Sequence, residues 1–204
     1  MLFDTRKLIG ARFFNAGYQF RYGISRNETL SPRDKTGHGT HTLSTAGGTF
    51  VANASIFGHG EGVAKGVAPN ARVAGYKVCW TDVNNTYGCD DSDILAAIDT
   101  GISDGVDVFS ISLGTAPGEI PVDYSHDAIA IGSFHAVQSG RVVVCSAGNS
   151  GPAKGTVANM APWIITVAAS TIDRDFPSIV TLGNDDKYVV RKPNSSYFIY
   201  ILRK

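Results

Sequence analysis

One stretch of the sequence contains a histidine that could transfer protons, between glycines that could leave its side chain accessible. It runs Asp34-Lys35-Thr36-Gly37-His38-Gly39-Thr40-His41-Thr42. The glycines beside His38 allow a sharp turn, and residues 40–46 can form the first turns of a helix that Gly47-Gly48 ends. Because histidine titrates near neutral pH, His38 at the start of this helix is a candidate general base. A structural histidine in a glycine-rich turn is the alternative for this residue taken alone.

A second candidate group follows an apolar run. Asn149 comes directly after Ser146-Ala147-Gly148, at the end of a predicted strand at residues 141–147. Its side-chain amide could donate hydrogen bonds to an oxyanion that develops during a reaction. The alternative is that asparagine merely tolerates a left-handed turn there, and composition alone favours this alternative.

Strands and helices alternate along the part of the chain that must position these groups. Strands are predicted at residues 8–14, 71–79, 106–113, 141–147 and 163–169, and helices at 91–104 and 124–139. Residues 15–18 are predicted to form a turn, and residues 49–70 to be irregular. Apolar strands that alternate with helices predict an α/β fold with a parallel sheet covered on both faces. In such folds, sites gather at the carboxyl ends of the strands.

The composition excludes several classes of function. The 204 residues are 43% hydrophobic, which fits one domain with a sizeable core, and 18 basic residues balance 18 acidic ones. A net charge of zero gives no electrostatic basis for binding nucleic acid or an anionic membrane surface. No apolar run is long enough to span a bilayer, and the N-terminal residues lack the apolar core of a signal peptide. We therefore predict neither a nucleic-acid nor a membrane partner.

The three cysteines are too few for a disulfide scaffold. Cys79 and Cys89 flank a polar loop and could form a bridge, whereas Cys145 lies in an apolar run and is predicted to be a buried thiol. No Cys/His cluster has the spacing of a zinc site, so neither a metal nor a cofactor is predicted. Asn-x-Ser/Thr sequons at Asn27, Asn53, Asn84 and Asn194 weakly favour a secretory origin.

Several longer strings occur in a specific order. They are Ser31-Pro32-Arg33-Asp34 before the His38 motif, Gly66-Val67-Ala68-Pro69-Asn70-Ala71-Arg72-Val73-Ala74-Gly75-Tyr76-Lys77-Val78-Cys79-Trp80, Ser92-Asp93-Ile94-Leu95-Ala96-Ala97-Ile98-Asp99, Asp104-Gly105-Val106-Asp107-Val108-Phe109-Ser110-Ile111-Ser112-Leu113-Gly114, and Ser146-Ala147-Gly148-Asn149-Ser150-Gly151-Pro152. Together, over roughly residues 6–184, they resemble the plant subtilases, a branch of the subtilisin-like serine proteases. An ordered set of this kind is more specific than any single motif.

The resemblance implies a fold, an activity and roles for particular residues. The expected fold is a three-layer subtilisin-like α/β fold, here truncated, with a mostly parallel sheet and helices on both faces. The expected activity is serine-type endopeptidase hydrolysis of polypeptide substrates through an Asp-His-Ser triad, in an extracellular or cell-wall location. His38 matches the catalytic histidine, the general base, and His41 a second, non-catalytic histidine. Asn149 matches the oxyanion-hole asparagine. Two backbone segments line the substrate cleft in this family. The first matches Ser112, Leu113 and Gly114, and the second matches Ser146, Ala147 and Gly148.

The sequence departs from the family pattern at the other two triad positions. Asp4-Thr5 imitates the motif of the triad aspartate, but Arg6 replaces its glycine and no apolar strand precedes it. No Gly-Thr-Ser-Met string carries the nucleophilic serine. Residues 1–187 are therefore interpreted as a partial peptidase domain and residues 188–204 as a tail outside the family. Such a fragment is predicted to be inactive alone.

Two alternatives of other classes stay open at this point. The chain could be a non-catalytic remnant of a protease that binds peptides or a protease inhibitor. A nucleotide-binding domain is a third hypothesis because of the parallel sheet, although no Gly-x-Gly-x-x-Gly opens a helix after a strand. Nothing in the sequence indicates an oligomeric state.

Overall fold

The computed structural model describes residues 7–114, 123–170 and 178–190. The chain divides into two units, one of residues 1–54 and 62–169 and the other of residues 55–61 and 170–204. The helices are α1 (Ala16–Tyr22), α2 (His38–Gly47), α3 (Asp91–Ser103) and α4 (Ala128–Gln138), with a 3₁₀ turn at Tyr124–His126. The strands are β1 (Leu8–Phe13), β2 (Val51–Ile56), β3 (His59–Ala64), β4 (Val73–Lys77), β5 (Cys79–Thr81), β6 (Tyr87–Cys89), β7 (Val108–Ile111), β8 (Val142–Ser146), β9 (Ile165–Val167), β10 (Ser178–Thr181) and β11 (Lys187–Val190).

Parallel pairing joins the strands of the first unit that the apolar pattern predicted. Strand β1 pairs with β4, placing Arg12 opposite Tyr76. Strand β8 lies between β7 and β9 and is parallel to both. In the described residues these strands form one two-stranded and one three-stranded sheet. The predicted α/β class with parallel strands and helices is confirmed.

Helices α3 and α4 pack together over one face of the three-stranded sheet, and both are capped by an aspartate. The Asp90 carboxylate accepts the Ser92 backbone N–H at the start of α3, and the Asp127 carboxylate does the same for α4. The two helices approach closely because Gly132 lacks a side chain: a Cβ there would lie 2.6 Å from Ile98 Cδ1. Facing them, one set of alternate strand side chains is buried, namely Phe109, Val143 and Cys145.

The other face of this sheet carries apolar side chains that remain exposed. Val108 is 57% exposed, Val142 44%, Ile165 54% and Val167 53%. Alternation along each strand places these residues opposite the buried set. The first unit thus buries one face of its three-stranded sheet and exposes the other.

Two segments differ from the sequence expectation. Residues 15–18 do not form a turn but lead into helix α1. The buried Asp93 carboxylate, from α3, accepts hydrogen bonds from the backbone N–H groups of Gly17 and Tyr18. A distant carboxylate thus satisfies the free N–H groups at the start of this short helix, and no local pattern reveals such a partner.

Residues 49–70 are not irregular throughout, because they contain the paired strands β2 and β3. Phe57 and Gly58 connect these strands, with φ of 51° and 81° respectively. Two successive positive φ values are typical of the two-residue turn that matches the twist of a hairpin. Nearly all residues of both strands are exposed, so backbone pairing rather than an apolar pattern defines them.

Strands β5 and β6 form an antiparallel hairpin with Cys79 directly opposite Cys89. A disulfide joins the two cysteines, whose Cα atoms lie 4.2 Å apart. Cys145 is free and buried in the core. Burial, with a further contribution from the negative charge of Asp127, raises the pKa of the Cys145 thiol to about 12. Cys145 is therefore an unreactive packing residue near neutral pH.

Removal of the disulfide is expected to destabilise the chain. The double variant Cys79→Ala/Cys89→Ala should lower the free energy of unfolding by about 2–3 kcal/mol, because the bridge closes a short loop in the unfolded chain. Urea denaturation with and without reductant measures the effect. Reductant should lower the midpoint of the unaltered chain and leave the double variant unchanged. An unaltered chain that is insensitive to reductant contradicts the expectation.

The second unit contains the antiparallel pair β10 and β11. Their connection turns at Asp185, whose φ is 66°. Strand β11 crosses the predicted boundary at residue 187, and most of the predicted tail, residues 191–204, lies outside the described residues. The division at residue 187 therefore stays a prediction. In the part of the chain that the structure describes, no helix has both the length and the apolar character needed to cross a bilayer.

Candidate active site

His38 is the first residue of helix α2, as predicted. Gly37 before it adopts a left-handed conformation with φ of 85°, which an L-residue with a side chain rarely adopts. The chain reverses sharply at this glycine and leaves His38 exposed. His41, one turn later, is also exposed. The imidazole of His38 is thus available to a ligand rather than packed in the core.

Asp34 organises the turn that presents His38. One carboxylate oxygen, Oδ1, accepts the backbone N–H groups of Thr36 and Gly37, both at 3.0 Å. The other, Oδ2, accepts the Thr40 N–H at 2.8 Å and the Thr40 hydroxyl at 2.7 Å. Burial alone would raise the pKa of the Asp34 carboxyl. These hydrogen bonds, of which those from Thr40 contribute most, instead hold the pKa well below its usual range. Asp34 therefore supplies the capping bonds that Gly37 cannot supply.

Replacing Asp34 by alanine is expected to lower the free energy of unfolding by about 1–2 kcal/mol, the upper range for losing a helix cap. The loss should depend on pH. The pKa of the Asp34 carboxyl is lower in the folded chain than in the unfolded chain, where it is about 3.9. The carboxylate therefore contributes its full stabilisation of the folded state above about pH 3.9, and this contribution disappears as the pH falls through the lower, folded pKa. Urea denaturation at pH 7 and at steps below pH 4 measures both effects.

The control for this prediction is Asp107→Ala. The Asp107 side chain is 93% exposed and, among the described residues, makes a long ion pair of 3.7 Å with Arg141, so its removal should change stability by less than about 0.5 kcal/mol. Equal losses for the two variants would show that Asp34 acts as an ordinary surface charge.

The two predicted cleft segments lie side by side at the carboxyl ends of neighbouring strands. Ser112, Leu113 and Gly114 follow β7, while Ser146 ends β8 and continues into Ala147 and Gly148. Because β7 and β8 are parallel neighbours, these ends meet at one edge of the sheet. The Ser146 hydroxyl donates to the Leu113 carbonyl at 3.4 Å. Gly148 has φ of 82°, and the next residue, Asn149, is exposed.

Sequence reasoning missed a buried side chain beneath both segments. Asn159 is only 7% exposed, and its amide nitrogen donates to the carbonyls of Leu113 and Ser146, each at 2.8 Å. Its neighbour Ala158 donates its backbone N–H to the Ala147 carbonyl at 3.0 Å. No motif or spacing in the sequence marks Asn159, since its partners are backbone groups 13 and 46 residues away.

The structure brings some of the predicted site residues together and leaves one apart. The two cleft segments contact each other, and Asn149 follows directly after one of them. In the described residues, no hydrogen bond or ion pair joins His38 to Asn149 or to either segment. That His38 and Asn149 flank one bound carbonyl thus stays a prediction. No group of His, Cys, Asp or Glu within the described ranges could hold a metal ion.

The chemistry available at these positions is that of proton transfer and carbonyl binding. His38 offers an exposed imidazole and Asn149 an exposed amide donor. The paired strand ends offer backbone groups that an extended peptide can meet. This combination suits acyl transfer, but the described residues do not supply a serine positioned against His38.

The family of this chain follows from its match to a family sequence model. The sequence model of the subtilase family matches residues 11–197 of this chain. The chain belongs to the subtilase family. As a subtilase, it shares a fold of parallel strands and helices with its relatives, and the match gives no support to the nucleotide-binding alternative.

Curated subtilases from plants are similar over most of this chain. It is 58% identical over 184 residues to Subtilisin-like protease SBT5.3 of Arabidopsis thaliana, a match that covers 90% of this chain and 23% of the relative. It is 48% identical over 204 residues to Subtilisin-like protease Glyma18g48580 of Glycine max, covering 97% of this chain and 26% of that protein. The subtilase chain thus spans about a quarter of the length of these relatives.

A solved structure supports the fold. Sphericase superposes with a TM-score of 0.50 at 24% identity, over 92% of this chain and 61% of its own. The likeness is one of architecture, and it agrees with the parallel strands and helices of the first unit.

Proposed function

We propose that this chain is part of the catalytic domain of a subtilisin-like serine endopeptidase that hydrolyses polypeptides through an Asp-His-Ser triad. The observation that carries the proposal is the placement of His38. It is exposed at the first residue of a helix, in a turn that Asp34 fixes by five hydrogen bonds. A structural histidine in a glycine-rich turn does not require such a frame, whereas a general base requires a fixed direction of approach.

In this proposal each predicted site residue has one role. His38 takes the proton from a serine hydroxyl and returns it to the leaving amine. The Asn149 amide donates to the oxyanion that forms on the scissile carbonyl. Ser112, Leu113 and Gly114 on one side, and Ser146, Ala147 and Gly148 on the other, present backbone groups to an extended substrate.

The triad requires two groups that these 204 residues do not offer in their expected motifs. The group that attacks the peptide in this route is a serine oxygen, so a serine hydroxyl must lie at hydrogen-bond distance from the imidazole that takes its proton. An acid must also hold the imidazole in the required tautomer. We therefore propose that the aspartate and the serine belong to segments of a longer protein. The 204-residue chain alone should lack triad-type turnover. The Cys79–Cys89 disulfide supports an oxidising, extracellular location.

A chimera tests the proposal. Residues 11–187 replace the matching stretch of Subtilisin-like protease SBT5.3, which is 58% identical to this chain over 184 residues. The rest of the relative takes the place of the segments to which the proposal assigns the aspartate and the serine. Secreted chimera should hydrolyse a casein substrate and react with a serine-directed phosphonate. The matched control replaces the same stretch and also changes His38 to alanine. A folded chimera that takes neither substrate nor probe contradicts the proposal.

A second candidate is a non-catalytic remnant that binds peptides or a protease inhibitor. The observation that favours it is the presence of both cleft segments without a nucleophile motif. Isothermal titration of the 204-residue chain with a proteinaceous subtilisin inhibitor tests it. Stoichiometric binding by the chain, with an inactive chimera, would favour this candidate over the peptidase.

A further inference from the structure

Asn159 lies beneath the two cleft segments and contacts both of them. We propose that Asn159 is a positioning residue that fixes the spacing of the cleft walls by holding the carbonyls of Leu113 and Ser146 together. This role rests on the proposed function, since it assumes that the segments bind an extended peptide. It extends that function to a residue that does not itself touch the substrate.

The side-chain amide of Asn159 matches this task. Its nitrogen carries two hydrogens, and it makes one 2.8 Å hydrogen bond to Leu113 and one to Ser146. Leu113 and Ser146 belong to the ends of two adjacent parallel strands, so a single planar group sets the distance between them. Asn159 is 7% exposed. Removing its donors would take one hydrogen bond from each carbonyl and leave the Leu113 carbonyl with the longer, 3.4 Å bond from the Ser146 hydroxyl.

The backbone of Asn159 is held as firmly as its side chain. The Thr166 hydroxyl, from strand β9, donates to the Asn159 carbonyl. The preceding residue Ala158 donates to the Ala147 carbonyl. The Asn159 φ of 55° is left-handed, a conformation that asparagine tolerates better than most residues. The segment after β7 and residues of β8 and β9 therefore converge on one asparagine.

The two hydrogen bonds also determine which backbone groups remain for a ligand. Asn159 occupies one lone pair of the Leu113 carbonyl and one of the Ser146 carbonyl. The Ser146 hydroxyl donates to the Leu113 carbonyl as well. Gly114 approaches closely, since a Cβ at that position would lie 3.5 Å from the Asn159 amide nitrogen and 3.3 Å from the Ala158 Cβ. The Leu113 carbonyl thus already accepts two hydrogen bonds within the chain, so we call Asn159 with the Leu113 and Ser146 carbonyls the clamp.

Two variants separate the side chain from the backbone conformation. Asn159→Asp keeps the size and tolerates a left-handed φ, but it replaces both donors by an acceptor that faces two carbonyls. Asn159→Gly keeps the left-handed conformation at no steric cost and removes the side chain. The matched control is Asn85→Asp, an exposed asparagine with a similar φ of 64° in the β5–β6 loop.

Nuclear magnetic resonance of the 204-residue chain provides the readouts. The ¹³C carbonyl resonances of Leu113 and Ser146 should move upfield in both Asn159 variants, as expected when a carbonyl loses a hydrogen bond, and stay unchanged in Asn85→Asp. Resonances of helix α3 report whether the variant is folded. Titration with acetyl-tetraalanine amide should shift the Gly114 and Gly148 amides. Its Kd should increase about tenfold in both Asn159 variants, equivalent to roughly the free energy of one hydrogen bond.

The outcomes distinguish this inference from the proposed function. Upfield carbonyl shifts together with weaker peptide binding support the clamp. Unchanged carbonyl shifts, or an unchanged Kd in folded Asn159 variants, overturn it. If the unaltered chain does not bind the peptide while the carbonyl shifts occur, the peptide-binding cleft is wrong and Asn159 only joins two strands.

Discussion

Replacing His38 by alanine in the active chimera is expected to lower kcat about 10⁶-fold, as the loss of a triad histidine does. The imidazole is the group that removes the serine proton, so its loss leaves only binding and oxyanion stabilisation. Asn149→Ala should lower kcat by about 10²–10³-fold, because it removes one donor to the oxyanion and leaves the nucleophile and base in place. Initial rates on a fluorogenic peptide, with active-site titration of the unaltered chimera, measure both effects.

His41→Ala is the matched control for this prediction. His41 lies in the same helix, one turn after His38, and is similarly exposed. Its removal should change kcat less than about tenfold, since the proposal gives it no proton-transfer role. A large loss for His41 with a small one for His38 would reverse their proposed roles. Equal, small losses would show that neither histidine is the base.

Replacing Trp80 by alanine is expected to lower the free energy of unfolding by about 3–5 kcal/mol. Trp80 is 0% exposed and is among the largest fully buried side chains in the described residues. Its indole N–H donates to the Phe14 carbonyl at 2.7 Å, and the Phe13 ring meets it edge-on with centroids 5.7 Å apart. The Lys77 ammonium lies 4.0 Å from the Trp80 ring centroid. The substitution therefore removes a large buried surface, a hydrogen bond and a cation–π contact.

Urea denaturation compares Trp80→Ala with a matched control, Phe20→Ala. The Phe20 side chain is 94% exposed in helix α1. Apart from a small effect of helix propensity, its removal should therefore lower the free energy of unfolding by less than about 0.5 kcal/mol. A loss for Trp80 below about 1 kcal/mol would show that the junction of β1, β4 and β5 does not contribute to the core.

The elements with an internal apolar pattern could be predicted from the sequence. Helix α3 follows from apolar residues at helical spacing after a cluster of aspartates, and strands β7 and β8 follow from near-continuous apolar runs. Helix α1 and the β2–β3 hairpin could not be predicted in this way. The first depends on Asp93, more than 70 residues away, and the second depends on backbone pairing of exposed strands.

The same distinction applies to the candidate site. His38 and Asn149 stand in local motifs, so their types and neighbours pointed to chemistry. Asp34 and Asn159 act through hydrogen bonds to backbone groups. Residue types in the sequence do not show which backbone groups a side chain will contact. Asp34 is the nearer case, because an aspartate a few residues before a helix start is a known capping arrangement. Asn159 required the fold, since its two acceptors lie at the ends of separate strands.

The hairpin of β5 and β6 has an exposed tip, and a disulfide joins its two strands. Val83, at the tip, is 63% exposed, and the cysteines that flank the tip are joined to each other. A contaminating endopeptidase that cut the chain at the tip would produce two pieces that stay linked through sulfur. The nicked molecule would migrate as one intact band on a denaturing gel, and its two halves would separate only after reduction. An apparently intact preparation can therefore contain molecules already cut between the strand that ends in Lys77 and the helix that begins at Asp91.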